Sequence, residues 1–356
     1  MSTGGLATLL SIQPHPFRGL QTIGTVFYIL NLVLFVALCT ILSIRFTKYP
    51  STFLASLKHE REGLFFGPFW LSIATIVTGT QRFVVLAFEE ETATREWLTT
   101  SIAVAFWCYT VCTFLVAVGQ YSYLFVGGLK YRVDKFMPSW LLPIFPIMLS
   151  GTIAAVIASD QPLPSRYPIL FAGLACKGLG FSVCFIFYAH YLGRLMSTGL
   201  PNREHRTAMF IAAGPPSFLA LAILGMANAI PLEADLFPYS EVTFYSGSVI
   251  RTIALMLAIP LWMLALWFFS IAVVAVALSP PKLFHLGWWG MVFPNTGLCI
   301  ATIKIGEALN VEGFLYAGNV MTVLLVVMWG FTLVMNVRAV VVRDIMYPGM
   351  DEDVAD

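Results

Sequence analysis

The segment LQTIGTVFYILNLVLFVALCTILSIR, residues 20–45, contains no charged side chain before Arg45. A helix of about 20 apolar residues crosses the hydrocarbon core of a bilayer, so this segment predicts a membrane-spanning helix. The whole chain has the same character, with 58% hydrophobic and only 11% charged residues, against about 25% charged residues in a soluble domain. Because so few charges cannot cover a soluble surface, the sequence predicts an all-α integral membrane protein.

Apolar runs recur along the chain and predict ten transmembrane helices, which we call spans 1 to 10 in chain order. The longest hydrophilic stretch, residues 46–62, is too short to fold as a domain of its own. We therefore expect a single ten-helix membrane domain over residues 1–345 and an acidic cytoplasmic tail over residues 346–356. The predicted spans are residues 1–13, 20–45, 63–83, 97–126, 138–159, 167–196, 205–230, 246–279, 287–308 and 313–342.

Span 1 is shorter than the bilayer is thick, because only 13 residues precede Pro14. The first five residues already have the composition of a helix interior, which leaves no room for the charged region of a signal peptide. We therefore expect the sequence to begin part-way into its first helix, with further residues upstream.

The loop charges predict the orientation of the spans. If ten spans alternate across the membrane, four loops and the C-terminus share one side, and 13 of the 20 Lys and Arg residues fall there. Cytoplasmic segments carry an excess of Lys and Arg, so both termini are predicted to be cytoplasmic. The 13 residues are Arg45, Lys48, Lys58, Arg61, Lys130, Arg132, Lys135, Arg194, Arg203, Arg206, Lys282, Arg338 and Arg343.

The sequence carries no signal of catalysis or of binding to a macromolecule. The net charge is +1, without a basic patch, which argues against nucleic acid as a partner. The six cysteines lie in apolar runs without a CxxC pair, and the five histidines are scattered. Neither a metal site nor a Ser/His/Asp array is predicted, so we expect no cofactor and no enzyme. A receptor or scaffold normally has larger soluble segments.

Glycine and proline distinguish the odd spans from the even spans. The even spans are mostly unbroken apolar runs, with Pro260 as the exception. Proline frees a carbonyl and kinks a helix, which a membrane tolerates only where protein or water satisfies that carbonyl. We therefore expect kinked odd spans inside and even spans outside. The glycines and prolines of the odd spans are Gly4, Gly5, Gly67, Pro68, Pro143, Pro146, Gly214, Pro215, Pro216 and Pro294.

Several segments together resemble one family. The clearest is GWWGMVFPNTG at residues 287–297, followed by EGLFFGPF at residues 62–69 and the Thr3-Gly4-Gly5 triplet. These segments resemble the tellurite-resistance/C4-dicarboxylate transporter family, which includes fungal malate permeases, fungal sulfite efflux pumps and plant slow anion channels. The segment GPPSF at residues 214–218 and the FPNTG motif at 293–297 resemble the malate-permease branch.

The resemblance implies an architecture and a gate. Five helical hairpins would surround a central pore that the odd helices line, and the protein would be a homotrimer in the plasma membrane with one pore in each subunit. By its position in the Phe-Pro motif, Phe293 matches the aromatic residue that plugs the pore of the family. The alternative for Phe293 is plain core packing.

The predicted path for the anion runs along the odd spans. Hydroxyl groups spaced by three and four residues share a helix face and can replace part of an anion's hydration shell, although such residues also serve as ordinary helix contacts in membranes. The predicted path residues are Thr3, Gly4, Ser72, Thr75, Gly214, Pro215, Pro216, Pro294, Asn295 and Thr296.

Four cations within or near the spans are predicted to attract the anion, because ionisable residues in membrane segments are functional candidates. Arg82 and Lys304 end two odd spans and would form a collar at the outer mouth, or else extend to the lipid headgroups. Arg251 would join this collar or pair with Glu241. Lys177 lies deep in span 6, where it would attract the anion or serve as a structural partner.

These residues predict transport of small organic anions, with malate and related C4-dicarboxylates as substrates. The alternative within the same family is efflux of sulfite or conduction of another small inorganic anion. Pore width near Phe293 and the number of cations along the path distinguish the two.

Overall fold

The computed structural model describes residues 1–58, 62–89, 92–126, 136–234 and 246–345. Within these ranges the chain is helical and has no strand, which confirms the predicted all-α class. In lipid, a helix satisfies its own backbone hydrogen bonds, which is why long apolar segments adopt this form. The α-helices are α1 (Ser2–Ser11), α2 (Leu20–Lys48), α3 (Pro50–Lys58), α4 (Phe66–Phe83), α5 (Ala93–Val126), α6 (Phe145–Ile157), α7 (Leu163–Thr198), α8 (Gly214–Asn228), α9 (Ser246–Leu278), α10 (Phe293–Leu309) and α11 (Glu312–Val342).

Seven segments of the described chain are long and apolar enough to cross a membrane, and they coincide with predicted spans 2, 3, 4, 6, 7, 8 and 10. The protein is therefore a multi-pass membrane protein. Spans 1, 5 and 9 contain the shorter helices α1, α6 and α10, of 10, 13 and 17 residues. The count of ten crossing helices stays a prediction.

The stretch 46–62, expected to be a hydrophilic loop, contains the short helix α3. This helix contacts α2, and the rings of Phe46 and Phe53 lie with their centroids 5.2 Å apart. Residues 127–135, which carry three of the predicted loop cations, and the predicted tail 346–356 lie outside the described residues.

Five shorter helices and five longer helices differ in burial. The longer helices are α2, α5, α7, α9 and α11, which we call the outer helices. Each buries a narrow stripe and leaves the remainder partly or fully exposed; α11 buries five of its 31 residues. The shorter helices α1, α4, α6, α8 and α10 bury far more, and α10 buries 13 of its 17 residues.

The five shorter helices close into a ring. Contacts join α1 to α4, α4 to α6, α6 to α8, α8 to α10 and α10 back to α1, and we call this set the helix ring. Each ring helix also contacts the outer helix that follows it in the chain. The ring therefore forms the centre of the molecule.

The prolines lie where ring helices begin, and this differs from the expected kinks within helices. Short 3-10 segments precede α6, α8 and α10, at Pro138–Leu141, Arg203–Ala213 and Leu286–Met291. Pro146, Pro215, Pro216 and Pro294 then occupy the first turns of these α-helices. A first-turn residue has no intrahelical partner for its N–H, so proline fits there without loss. Each of these spans changes from 3-10 helix to α-helix shortly before its first-turn proline.

Candidate functional site

The N-terminal ends of the ring helices meet around one small cavity. Its volume is about 30 Å³, which is enough for ordered water but not for a larger solute. The helices α4, α6 and α10 line it directly, together with Met1 just before α1 and the 3-10 segments before α8 and α10. The lining residues are Met1, Phe65, Pro68, Leu71, Leu142, Phe145, Ile211, Leu286, Gly287, Trp289, Gly290, Phe293 and Pro294. We call this space the ring cavity.

Three phenylalanine rings pack together at the ring cavity, and two of them, Phe145 and Phe293, line it. The ring of Phe293 stacks on that of Phe218, with centroids 5.1 Å apart and planes inclined by 24°. Phe145 meets Phe218 edge to face at 6.3 Å. Phe293 is 3% exposed. Since stacked and edge-to-face rings attract each other, these three side chains form one closed layer, the aromatic layer.

Three hydroxyl groups of the predicted path already donate their protons to backbone carbonyls of their own helices. Ser72 Oγ donates to the Pro68 carbonyl at 2.9 Å, and Thr75 Oγ1 donates to the Ser72 carbonyl at 2.8 Å. Thr296 Oγ1 donates to the Phe293 carbonyl at 2.6 Å. Each hydroxyl must rotate away from its own helix before it can donate to an anion.

Two glycines bring α1 against its neighbours in the ring. A Cβ atom on Gly4 would lie 2.5 Å from Thr75 Oγ1, and a Cβ on Gly5 would lie 3.0 Å from Thr296 Oγ1. The structure thus brings together Gly4, Thr75 and Thr296, three residues that the sequence placed on the path. Only glycine permits this approach of the helix backbones.

Other predicted path residues have different surroundings. Thr3 Oγ1 accepts a hydrogen bond from Trp329 Nε1 of the outer helix α11 at 3.2 Å. Asn295 Nδ2 donates to the Met291 carbonyl at 2.7 Å, while its buried Oδ1 has no protein partner. A Cβ on Gly214 would lie 2.6 Å from Phe145 Cζ, so this glycine makes room for the aromatic layer.

Arg82 and Lys304 lie at the C-terminal ends of α4 and α10. Lys304 Nζ forms an ion pair with Glu307 Oε2 at 2.6 Å. The same carboxylate lies within electrostatic range of Arg82. The structure therefore brings the two cations of the predicted collar to one end of the ring. The acid that the sequence assigned only to Lys304 also acts electrostatically on Arg82.

Arg251 caps a helix. Its Nη2 donates to the carbonyls of Asn228 at 3.2 Å and Ile230 at 2.8 Å, where α8 ends. A cation at this position stabilises the partial negative charge of a helix C-terminus. Its predicted partner Glu241 lies outside the described residues.

Lys177 is completely buried, on the outer helix α7. Its Nζ donates to Thr152 Oγ1 at 2.8 Å and lies 5.8 Å from the centre of the Phe218 ring. The structure therefore joins Lys177 to the aromatic layer, a contact that the sequence did not reveal.

Phe145 and Phe218 are the site residues that sequence reasoning missed. For Phe145 a signal exists, because the pair Phe145-Pro146 repeats the pair Phe293-Pro294 at the start of another ring helix. Phe218 has no such signal. Its contact with Phe293 joins helices distant in sequence, and helical periodicity cannot show this.

Comparison with known proteins identifies relatives over nearly the whole chain. Residues 1–337 match the SLAC1 family, described as voltage-dependent anion channels. The chain is 33% identical to the malic acid transport protein of Schizosaccharomyces pombe, over 99% of this chain and 79% of that protein. A putative malic acid transport protein of the same organism is 30% identical, over 99% and 81% of the two chains. The sulfite efflux pump SSU1 of Trichophyton rubrum is 25% identical, over 95% and 88%.

The matched region includes every helix of the ring and the outer helices that accompany them, except the last five residues of α11. The resemblance that the Gly-Pro and Phe-Pro segments predicted, to a family that includes the slow anion channels, is thereby confirmed. The chain belongs to the SLAC1 family of voltage-dependent anion channels.

Proposed function

We propose that this protein moves small organic anions, malate and related C4-dicarboxylates, across a membrane through the centre of the helix ring. One observation carries the proposal: the five ring helices, or the residues directly before them, all reach the ring cavity where the helices begin. The peptide dipoles aligned along a helix give its N-terminal end a partial positive charge. Five such ends attract an anion without a charged side chain in the lining of the ring cavity that would hold it there, and conduction requires such weak binding.

The gate of this path is Phe293. Its ring lines the ring cavity and stacks on Phe218, so it separates the cavity from the polar side chains farther along the ring. A cavity of about 30 Å³ does not hold a dicarboxylate, and this arrangement is therefore the closed one. Opening requires Phe293 to leave the stack.

The proposed topology has ten crossing helices, arranged as five hairpins. Support comes from the contact of each ring helix with the outer helix that follows. Although α10 has only 17 residues, it continues the six-residue segment Leu286–Met291, and together they extend about 37 Å. This length exceeds the roughly 30 Å hydrocarbon core. The loop charges favour cytoplasmic termini, and the homotrimer and the plasma membrane rest on the family resemblance.

Malate-type anions are favoured over inorganic anions by the relatives. Two proteins named for malic acid transport are 33% and 30% identical to this chain, whereas the sulfite efflux pump is 25% identical. The small ring cavity favours the second candidate, efflux of sulfite or a similar inorganic anion, because such an anion needs less widening.

Proteoliposomes test both candidates. The measurements are radiolabelled malate uptake and anion current for the unmodified protein, for Phe293→Ala, and for Phe185→Ala as a matched control. Phe185 lies on α7 and is 62% exposed. We expect saturable malate uptake, a larger flux in Phe293→Ala, and an unchanged flux in Phe185→Ala.

Each other outcome has a distinct meaning. If sulfite or chloride passes and malate does not, the second candidate replaces the first. If Phe293→Ala and Phe185→Ala conduct equally, Phe293 is a packing residue and not the gate. If no anion passes in any variant, the path through the ring is wrong.

A further inference from the structure

Lys177 is the only fully buried cation in the described part of the chain. It lies about 21 Å along the axis of α7 from Leu163, the first residue of that helix. The other side chains at this level of α7 that face outward are apolar, such as Leu174 and Leu179, each more than 40% exposed. Lys177 points the opposite way, towards the helix ring.

Two glycines let the Lys177 side chain reach the ring. A Cβ on Gly151 of α6 would lie 2.7 Å from Lys177 Cβ, and a Cβ on Gly173 of α7 would lie 2.5 Å from Ala154 Cβ. The backbones of α6 and α7 are therefore in close contact at this level. The lysine side chain passes over Gly151 and ends beside Phe218 on α8.

Packing does not explain a lysine at this position. In the described residues, no carboxylate lies within ion-pairing distance of Lys177 Nζ. A buried charge without a counter-ion is strongly unfavourable, and one hydroxyl with one aromatic face compensates only part of that. A methionine has a similar length and fills the same space without a charge. Ionisable residues within membrane segments are functional candidates for this reason.

We propose that Lys177 is the counter-charge of the transported anion, concealed behind Phe218 while the path is closed. The Phe218 ring contacts Lys177 Nζ, and the same ring stacks on Phe293. When Phe218 and Phe293 turn aside, the ammonium faces the path. This inference rests on the proposed function, in which Phe293 closes the path.

A concealed lysine suits a path that must release what it binds. An ammonium is a compact point charge on a flexible stem, whereas an arginine grips a carboxylate with two parallel hydrogen bonds. Because the Lys177 charge meets the anion only while the rings are apart, the anion stabilises the open arrangement. Closure of the aromatic layer covers the charge again and favours release. Lys177 therefore couples anion binding to the position of Phe218.

The test compares Lys177→Met with Thr152→Val in proteoliposomes, each alone and combined with Phe293→Ala. The readouts are the KM for malate uptake and the reversal potential of the current in a salt gradient. Lys177→Met is expected to raise KM at least about tenfold, the change that about 1.4 kcal/mol of lost attraction produces, and to lower the selectivity for anions over cations. Thr152→Val removes only the hydrogen bond, so a change in KM below about threefold is expected.

If Lys177 serves only to pack α7 against the ring, Lys177→Met should leave the ion selectivity unchanged. If folded Lys177→Met keeps the KM and the reversal potential of the unmodified protein, the counter-charge is overturned and the proposed function survives. If Lys177→Met does not elute as folded protein, Lys177→Gln replaces it; if both fail to fold, Lys177 is a structural group and the proposal falls. Absence of anion flux in the unmodified protein overturns the proposed function and this inference together.

Discussion

The consecutive helices α10 and α11 are both apolar, yet they occupy opposite environments. α10 buries 13 of its 17 residues at the centre of the ring, whereas α11 buries five of its 31 residues and exposes valines and leucines along most of its length. Hydrophobicity does not separate them, because lipid and protein interior both favour apolar side chains. The difference lies in where small and polar residues stand: α10 begins Phe-Pro-Asn-Thr-Gly, whereas residues 323–328 of α11 are Val, Leu and Met alone.

The contrast between ring and outer helices teaches that close approach, and not apolarity, defines the centre of this molecule. A Cβ on Gly297 of α10 would lie 2.8 Å from Ser217 Oγ of α8, whereas a Cβ on Gly330 of α11 would meet no atom within 4 Å. The ring glycines are therefore contacts between helices, whereas the glycines of the outer helices divide into those that contact the ring, such as Gly173 and Gly180, and free positions such as Gly330.

The largest effect is expected for a methyl group added to the ring. In Gly67→Ala, the new Cβ would lie 2.3 Å from the Leu142 carbonyl oxygen, a backbone atom that no rotamer change can move. We expect a loss of more than about 2 kcal/mol of stability, measured as a lower thermal unfolding midpoint in detergent. Gly330→Ala is the matched control, and helix propensity favours it by up to about 1 kcal/mol. Equal midpoints for the two variants would contradict the distinction between glycines that contact another helix and glycines that face open space.

The distinction between ring helices and outer helices could be partly predicted from the sequence. The alternation of glycine- and proline-containing spans with aliphatic spans predicted which helices are buried, and the Phe293-Pro294 motif predicted a residue of the ring cavity. The positions of the prolines were predicted, but their role was not, because proline at 146 or 294 fits a helix start as well as a kink.

Contacts between segments that are distant in sequence could not be predicted from the sequence. The side chains of Phe218 and Lys177 approach each other across three helices, and nothing in the local pattern of either helix specifies that meeting. Arg251 was predicted to join the outer collar or to pair with Glu241. The sequence shows the cation, but it does not show that the unpaired carbonyls at the end of α8 lie within its reach.

A smaller effect is expected at the aromatic layer, where two ring helices meet. Phe218→Ala removes the partner of Phe293, and one stacked pair contributes about 0.5–1.5 kcal/mol to the closed arrangement. The open fraction and the anion current should therefore rise roughly two- to tenfold. Combined with Phe293→Ala, the two changes should be less than additive, because both remove the same contact. Full additivity would show that Phe218 and Phe293 do not act as one layer.

The opposite end of the ring should respond more weakly and in a way that depends on salt. Arg82→Gln removes a cation at the end of α4, and we expect anion flux at low ionic strength to fall roughly two- to threefold, because charge at a mouth concentrates ions of the opposite sign. At 1 M salt the Debye length is about 3 Å, and the difference should vanish. Phe293→Ala provides the comparison, since its effect should persist in high salt. A salt-independent loss in Arg82→Gln would indicate that Arg82 packs or binds instead of attracting at a distance.

The smallest effect is expected for Lys304→Gln, although Lys304 lies at the same end of the ring as Arg82. Its charge is already paired with Glu307 at 2.6 Å, on a part-exposed surface, where such pairs contribute about 0.2–1 kcal/mol to stability. The loss of flux should therefore stay below about twofold. Glu307→Gln removes the negative charge that acts on both Lys304 and Arg82. The positive charge of both side chains is then no longer offset, so low-salt flux should rise slightly above that of the unmodified protein. A fall in flux in Glu307→Gln would mean that Glu307 stabilises the structure at the C-terminal ends of α4 and α10. Arg82 and Lys304 would then affect flux through that structure and not through their charge.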